Sequence, residues 1–256
     1  MPKLSDIRHI IWRYAQRPGP STLNTGLVAS WPLDDIGTVD RQDYGGDEYD
    51  LTNNNGATNA TGDIGTVFRW FNDQFLNTDN AAAPNLYGSA TDPFSVAVSF
   101  KVLSWPVTSG LITPICGIPD FSGTRSWLVG VLPDTVSPAR GATFHTSTDG
   151  TGGGTLRIDG PIIELNTWVN YVARYDGTQY KLQVDGVDST PVANASGFLR
   201  PTSVDFTVAR MINTNTDPIY GDIVVRNLTI WNKALSDAEV DEWYNNGNPL
   251  YIPFLV

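Results

Sequence analysis

Apolar and polar residues alternate in one long segment of this sequence. The five apolar residues of the segment Phe94 to Val102 are separated by single Ser, Ala or Lys residues. Successive side chains of a β-strand point to opposite faces of the sheet, so a period of two predicts a strand with one face in a core and the other towards solvent. We therefore expect a protein built on β-sheets.

A second alternating segment, Tyr180 to Val184, lies between two turn dipeptides, Asp176-Gly177 and Asp185-Gly186. Asp-Gly pairs suit the tight turns that join antiparallel strands, so Trp168 to Tyr175 and Tyr180 to Val184 are predicted to form a β-hairpin. The 24 Gly and 17 Pro residues are typical of an all-β protein with many turns. Further strands are predicted near residues 67–76, 127–132, 155–158, 206–210 and 223–231.

One short helix is predicted near the C-terminus. Ser236 and Glu239 have the spacing of a capping box, in which each side chain accepts a hydrogen bond from the other's backbone N–H. Val240 and Trp243 supply an apolar face, and Gly247 ends the pattern.

The first 25 residues differ from the rest of the chain. Their apolar residues recur at spacings of three and four, which is typical of one helical face, and Pro18-Gly19-Pro20 ends the pattern. Two interpretations stay open: a segment folded onto its own domain, or an arm that docks into a partner. The residues proposed for docking are Ile7, Ile10, Ile11, Trp12 and Tyr14. An apolar tail, residues 248–256, needs cover as well.

Charge and composition exclude several classes of function. The chain has 16 Lys and Arg residues against 27 Asp and Glu, a net charge of −11, whereas nucleic-acid binding requires a basic surface. We expect neither nucleic-acid binding nor membrane insertion, because no apolar run is long enough to span a bilayer. No secretory leader is recognised, so we expect a cytoplasmic protein, or a virion protein if the source is viral. The single cysteine, Cys116, lies in an apolar run and is expected to be a buried, inert thiol.

Six segments, in the right order along the chain, resemble the laminin-G-like branch of the concanavalin A-like lectin/glucanase superfamily. The most specific is Thr167 to Gly186, which contains the predicted hairpin. The six segments are residues 26–35, 49–57, 71–76, 94–102, 167–186 and 228–236.

The resemblance implies an all-β fold, a jelly-roll β-sandwich of two antiparallel sheets with one short C-terminal helix and an N-terminal arm. The implied organisation is an arm and linker at residues 1–25, a laminin-G-like domain at 26–247 and the tail at 248–256. It also implies core positions for four tryptophans: Trp31, Trp168, Trp231 and Trp243.

The sequence lacks the catalytic motif of the superfamily's glucanases, and it offers some candidates for the calcium site found in many relatives. These glucanases carry inward-facing carboxylates in the order Glu-x-Asp-x-Glu, and this run is missing from the sequence, so we expect no enzyme and no catalytic residue. Many relatives bind calcium, which prefers carboxylate oxygens. Asp34 and Asp35, after the first predicted strand, are the candidate calcium ligands, with Asp43 and Asp47 as further possible oxygen donors. Solvated loop carboxylates are the alternative.

We expect a non-enzymatic structural or attachment module, such as a surface or decoration protein of a phage virion, docked to other structural proteins by its arm. Adhesion to a cell-surface glycan is a second expected task, with Trp105 as the candidate residue for stacking on a sugar ring. The alternatives are a free carbohydrate-binding lectin and, more distantly, a glucanase-type hydrolase. A homo-oligomer is compatible with each of these.

Overall fold

A computed structural model describes residues 22–33, 40–41, 43, 49–59, 66–68, 73–78, 90–105, 111–118, 126–151, 154–198, 205–213, 217–247 and 249. The strands of these residues are β1 (Leu27–Trp31), β2 (Thr52–Asn54), β3 (Thr58–Asn59), β4 (Thr66–Phe68), β5 (Phe75–Thr78), β6 (Phe94–Ser104), β7 (Thr113–Gly117), β8 (Trp127–Val131), β9 (Gly141–Ser147), β10 (Thr155–Ile162), β11 (Val169–Tyr175), β12 (Gln179–Val184), β13 (Val187–Asp188), β14 (Val192–Ala193), β15 (Phe206–Val208), β16 (Arg210–Asn213), β17 (Asp217–Tyr220) and β18 (Asp222–Trp231). The helix α1 spans Asp237–Tyr244, and 3₁₀ turns span Thr22–Asn24 and Asn245–Gly247.

The strands form two large antiparallel sheets. The first has the order β13-β12-β11-β6-β18-β4-β3, with β1 also paired to β18 and β14 to β12. The second has the order β10-β9-β8-β7-β15-β5-β2. The predicted hairpin is confirmed, because β11 and β12 pair from Tyr175↔Tyr180 to Tyr171↔Val184. The predicted two-sheet antiparallel sandwich is therefore confirmed.

Aromatic side chains from both sheets fill the space between them. Trp31 of β1 stacks on Phe206 of β15, with ring centroids 5.4 Å apart and an interplanar angle of 11°. Phe94 of β6 lies 5.1 Å from Trp127 of β8, measured between ring centroids. The Tyr171 hydroxyl of β11 donates to the backbone oxygen of Thr143 in β9 at 3.1 Å. These contacts place β11 over β9, β6 over β8 and β1 over β15.

The outer face of the first sheet is covered where α1 packs on it. Val240 and Trp243 of α1 form a buried cluster with Ala97, Val172 and Trp231 of the sheet. Ser95 and Ser99 are buried as well, so the prediction that the polar face of β6 meets solvent is wrong for this part of the strand. The helix begins at the predicted capping box: Ser236 accepts from the Glu239 N–H, and Glu239 accepts from the Ser236 N–H.

Residues just before Gly26 belong to this covering layer. Leu23 is fully buried in the α1 cluster, and its backbone oxygen accepts a hydrogen bond of 2.7 Å from the indole N–H of Trp231. The Lys233 ammonium donates to the Thr22 oxygen at 2.9 Å. The sequence assigned both residues to the arm, and these contacts attach them to the domain.

The predicted strand at residues 67–76 is wrong in one respect. Thr66–Phe68 pairs with β18 in the first sheet, whereas Phe75–Thr78 pairs with β2 and β15 in the second. A continuous strand cannot belong to both layers, so the chain crosses between the sheets within this segment. Periodicity alone does not reveal such a crossing.

Cys116 is buried, as expected, and burial raises the pKa of its thiol. In the described part of the chain, no helix has the length and hydrophobicity that crossing a bilayer requires.

Candidate functional site

A cleft of about 240 Å³ lies beside the start of α1, on the outer face of the first sheet. One wall is the β11–β12 hairpin, which contributes Arg174, Asp176, Gln179 and Lys181. The other wall is the chain leading into the helix, residues 234–237. We refer to this space as the α1 cleft.

Arg174 joins the two walls. Its side chain is only 4% exposed, and its Nη1 donates to the Leu235 backbone oxygen at 3.0 Å and to Asp237 Oδ1 at 2.7 Å. Its Nη2 lies 3.9 Å from Asp188 Oδ1. Because a guanidinium is planar and always charged, these contacts fix the start of α1 against β11. The α1 cleft is therefore built on rigid elements.

Both carboxylates of the α1 cleft are ionised at neutral pH. The hydrogen bond from Arg174 lowers the pKa of Asp237, whose side chain is 73% exposed. Burial works against ionisation of Asp176, but hydrogen bonds from Thr178 and Gln179 outweigh it and lower its pKa to about 2. A glycosidase needs one carboxyl group with a raised pKa as its general acid. Neither carboxylate of this cleft meets that requirement.

The α1 cleft offers both kinds of hydrogen-bonding group. Lys181 can donate and the two carboxylates can accept, whereas the Gln179 amide already donates to Asp176 and the Ser236 hydroxyl to Glu239. A ligand rich in hydroxyl groups donates and accepts in the same way. The arrangement therefore suits a polyhydroxylated ligand and supplies no nucleophile paired with a base.

The structure places Trp105, the predicted sugar-stacking residue, away from the α1 cleft. Its ring is partly buried against the main core, and its indole Nε1 is buried without a hydrogen-bond partner among the described residues. The Arg140 guanidinium lies 5.2 Å from the ring centroid and is hydrogen-bonded to Asp134. A sugar stacking on that face would have to displace Arg140. The assignment of Trp105 to a glycan site stays a prediction.

The other predicted site residues lie outside the described part of the chain. These are the docking residues Ile7, Ile10, Ile11, Trp12 and Tyr14, and the calcium candidates Asp34 and Asp35. Both predictions therefore stay predictions. Among the described residues, His, Cys, Asp and Glu side chains form no group of three or more able to hold a metal ion.

Asp43, one of the further possible calcium donors, is hydrogen-bonded to the backbone of the protein. Its two carboxylate oxygens accept hydrogen bonds from the backbone N–H groups of Ser30, at 2.7 Å, and Tyr49, at 3.1 Å. The Tyr49 backbone oxygen in turn accepts from the Trp31 indole at 2.8 Å. Asp43 thereby ties the loop after β1 back to that strand.

Three of the four tryptophans expected in the core are fully buried: Trp31 between the sheets, and Trp231 and Trp243 between the first sheet and α1. Trp168 differs from the expectation, since it is half-buried on the outer side of the first sheet. The Arg226 guanidinium lies 4.0 Å from its ring centroid and the Lys101 ammonium 5.4 Å.

The α1 cleft was not predicted from the sequence. Its residues come from two segments about sixty positions apart, and they meet only because α1 packs over β11. One signal was available: Arg174 is the one charged residue of the buried strand β11, and a charge in a buried strand requires a partner.

Comparison with known proteins identifies the family. The model of the concanavalin A-like lectin/glucanases superfamily matches residues 75–241, which is more than half of the chain. The protein therefore belongs to this superfamily, in its laminin-G-like branch, as the six segments indicated. A comparison with curated protein sequences gave no match.

Several solved binding domains share the fold. The binding domain of Paraclostridial Mosquitocidal Protein 1 has a TM-score of 0.66 at 11% identity, over 88% of this chain and 53% of that one. The binding domain of botulinum neurotoxin DC, solved with rat synaptotagmin II, has a TM-score of 0.64 at 13% identity, over 88% and 52%. A structure of botulinum neurotoxin type C, whose cell entry depends on two ganglioside molecules, has a TM-score of 0.62 at 12% identity, over 87% and 51%.

This protein spans about half the length of those chains. At such identities the likeness shows a shared fold. It does not transfer their binding residues or receptors to this chain.

Proposed function

We propose that this protein is a non-enzymatic carbohydrate-binding module that attaches a larger assembly to a glycan-bearing surface, with the glycan in the α1 cleft. The observation that carries the proposal is the set of donors and acceptors that Arg174 holds in place around this cleft. The superfamily includes lectins, and solved structures with the same fold are described as binding domains. Another structure with this fold is of botulinum neurotoxin type C, whose cell entry depends on interaction with two ganglioside molecules. The two ionised carboxylates favour binding over hydrolysis.

Lys181→Ala is expected to weaken glycan binding by roughly tenfold, because it removes a charged donor from the α1 cleft. The glycan is first selected by screening the full chain on a glycan array, and affinities are then measured by isothermal titration calorimetry. Lys101→Ala is the matched control, since it removes the same charge from the same face of the sheet, beside Trp168. We expect it to bind as the unchanged protein does.

Three results would count against this function. If the protein binds no glycan on the array at high protein concentration, the proposed carbohydrate binding is contradicted. Equal loss of affinity in the Lys101 and Lys181 variants would indicate a general charge effect. Measurable turnover of a polysaccharide would contradict a non-enzymatic module and would favour the alternative of a glucanase-type hydrolase.

We further propose that the larger assembly to which the protein belongs is a virion. The apolar face of the arm, with Ile7, Ile10, Ile11, Trp12 and Tyr14, supports a docking role. The truncation should remove residues 1–21, because Leu23 is part of the α1 cluster and its loss would damage the domain.

Deletion of residues 1–21 is expected to abolish incorporation into the particle while leaving the melting temperature and glycan affinity unchanged. Incorporation is measured as stoichiometry in purified particles from the source, with full-length protein as the reference. Ile10→Ser with Ile11→Ser in the full chain is the matched variant, and it should reproduce the loss. Full incorporation of the truncated protein would contradict the arm.

A further inference from the structure

Strand β10 forms one edge of the second sheet. Among the described residues it pairs with β9 alone, in the register Thr155↔Ser147 through Asp159↔Thr143. An edge strand presents one row of backbone N–H and C=O groups without sheet partners, which makes it a template for another strand.

The register identifies which residues carry this open row. The Thr148 N–H donates to the Gly154 oxygen at 3.1 Å, and these two residues face each other one step beyond the Thr155↔Ser147 pair. In an antiparallel ladder, hydrogen-bonded and non-hydrogen-bonded pairs alternate. Residues 156 and 158 therefore bond to β9, whereas residues 157 and 159 direct their backbone groups away from it.

The open row is short and bounded. The pairing of β10 with β9 shifts between Asp159 and Ile162, and Pro161 in this irregular part lacks an N–H group. Such features limit unspecific strand addition. The regular part around Ile158, with the outward groups of residues 157 and 159, remains as a template with a defined register.

Exposed apolar side chains lie at the same rim of the sandwich. Ile162 of β10 and Val187 of β13 are both 61% exposed, and β13 is the edge strand of the first sheet. The two edges are adjacent, because a Cβ on Gly160 of β10 would lie 3.2 Å from the side chains of Leu182 and Val184 in β12. An incoming protein chain would find apolar surface beside the open row.

The charges on β10 favour a second copy of this chain as the occupant. Arg157 and Asp159 lie on one face of the strand, with Arg157 Nη2 2.9 Å from Asp159 Oδ2. If two β10 strands pair antiparallel about a two-fold axis at Ile158, each Arg157 lies opposite the Asp159 of the other copy. The sequence Arg157-Ile158-Asp159 is thus complementary to itself in antiparallel pairing, and opposite charges facing each other stabilise a strand pair.

We propose that the protein forms a homodimer in which two β10 strands pair about Ile158 and join the second sheets of two copies into one continuous sheet. Residues 157 and 159 then exchange backbone hydrogen bonds across the axis, which uses the groups that point away from β9. This interface lies on the opposite sheet from the α1 cleft and does not depend on the glycan proposal.

Charge exchange across the axis tests the dimer in the full-length chain. Arg157→Asp alone and Asp159→Arg alone each place like charges opposite one another, and each should weaken dimerisation by about tenfold or more. The double variant Arg157→Asp/Asp159→Arg restores opposite charges and should dimerise. A mixture of the two single variants should form a heterodimer, although neither alone dimerises well. Sedimentation equilibrium measures all four, and thermal melting checks that each variant is folded.

The proposal is overturned if the unchanged protein sediments as a monomer up to its solubility limit, or if its dimer is insensitive to both single substitutions. It is also overturned if the mixture of single variants fails to associate although both are folded. A dimer that is lost only when residues 1–21 are deleted would assign the contact to the arm and would also contradict pairing through β10.

Discussion

Replacing Trp31 by alanine is expected to lower the free energy of unfolding by about 3–5 kcal/mol. Trp31 is fully buried, stacks on Phe206 of the opposite sheet, and donates from its indole to the Tyr49 backbone oxygen. The substitution removes the ring from the space between the sheets and leaves a buried carbonyl without its donor. Urea unfolding followed by circular dichroism measures the change.

Trp168→Ala is the matched control for this prediction. Trp168 is half-buried on the outer side of the first sheet and contacts Arg226 and Lys101. Its removal leaves no cavity between the sheets, and we expect a cost of about 1 kcal/mol. If Trp31→Ala costs no more than Trp168→Ala, the packing of β1 over β15 is not as described.

Gly117→Ala is expected to lower the free energy of unfolding by roughly 3 kcal/mol or more, as the sum of backbone strain and overpacking. Gly117 has a φ of 152°, and a Cβ there would lie 2.4 Å from the Trp127 carbonyl oxygen and 2.9 Å from the Leu128 Cα. These are backbone atoms of the paired strand β8, so they cannot turn away as a side chain would. The same urea experiment measures the effect.

Gly247→Ala separates the two causes. Gly247 also has a positive φ, of 85°, but the nearest atom to its Cβ would be the Tyr244 hydroxyl at 3.7 Å. This variant retains the backbone strain without the clash, and its cost should be about 1 kcal/mol. Equal effects at the two glycines would show that the close approach of β7 and β8 is not what requires Gly117.

Local patterns in the sequence were sufficient for the elements that depend on local chemistry. The alternation in β6, the Asp-Gly turn between β11 and β12, and the capping box of α1 are each set by a few neighbouring residues. The order of these elements along the chain also agreed with the superfamily. The two-sheet sandwich followed from that order.

Features that depend on contacts between distant segments were not predicted. The burial of Ser95 results from its hydrogen bonds with the Lys233 oxygen and the Leu235 N–H, in the segment that leads into α1. The split of residues 67–76 results from a crossing between layers. The sequence places Leu23 in the arm because it lies between Pro18-Gly19-Pro20 and the first apolar run. Its burial depends on Trp231, which is far away in the sequence.

The α1 cleft is the clearest case of this limit. Asp176 and Gln179 are placed by a local turn, and Ser236 by a local cap, but the space between them exists because Arg174 holds both walls together. Sequence reasoning favoured Trp105 instead, from the general affinity of aromatic rings for sugars. The position of Arg140 over a face of that ring depends on the tertiary structure.

The assignment of the glycan to the α1 cleft is tested by mapping the bound glycan onto the backbone amides. In a titration of the ¹⁵N-labelled full chain with the best array ligand, followed by amide chemical shifts, we predict that the largest shifts fall at residues 174–181 and 234–239. Amides near Trp105 and Arg140 should stay unchanged. Shifts that concentrate around Trp105 and Arg140, with none at the start of α1, would contradict the assignment of the glycan to the α1 cleft.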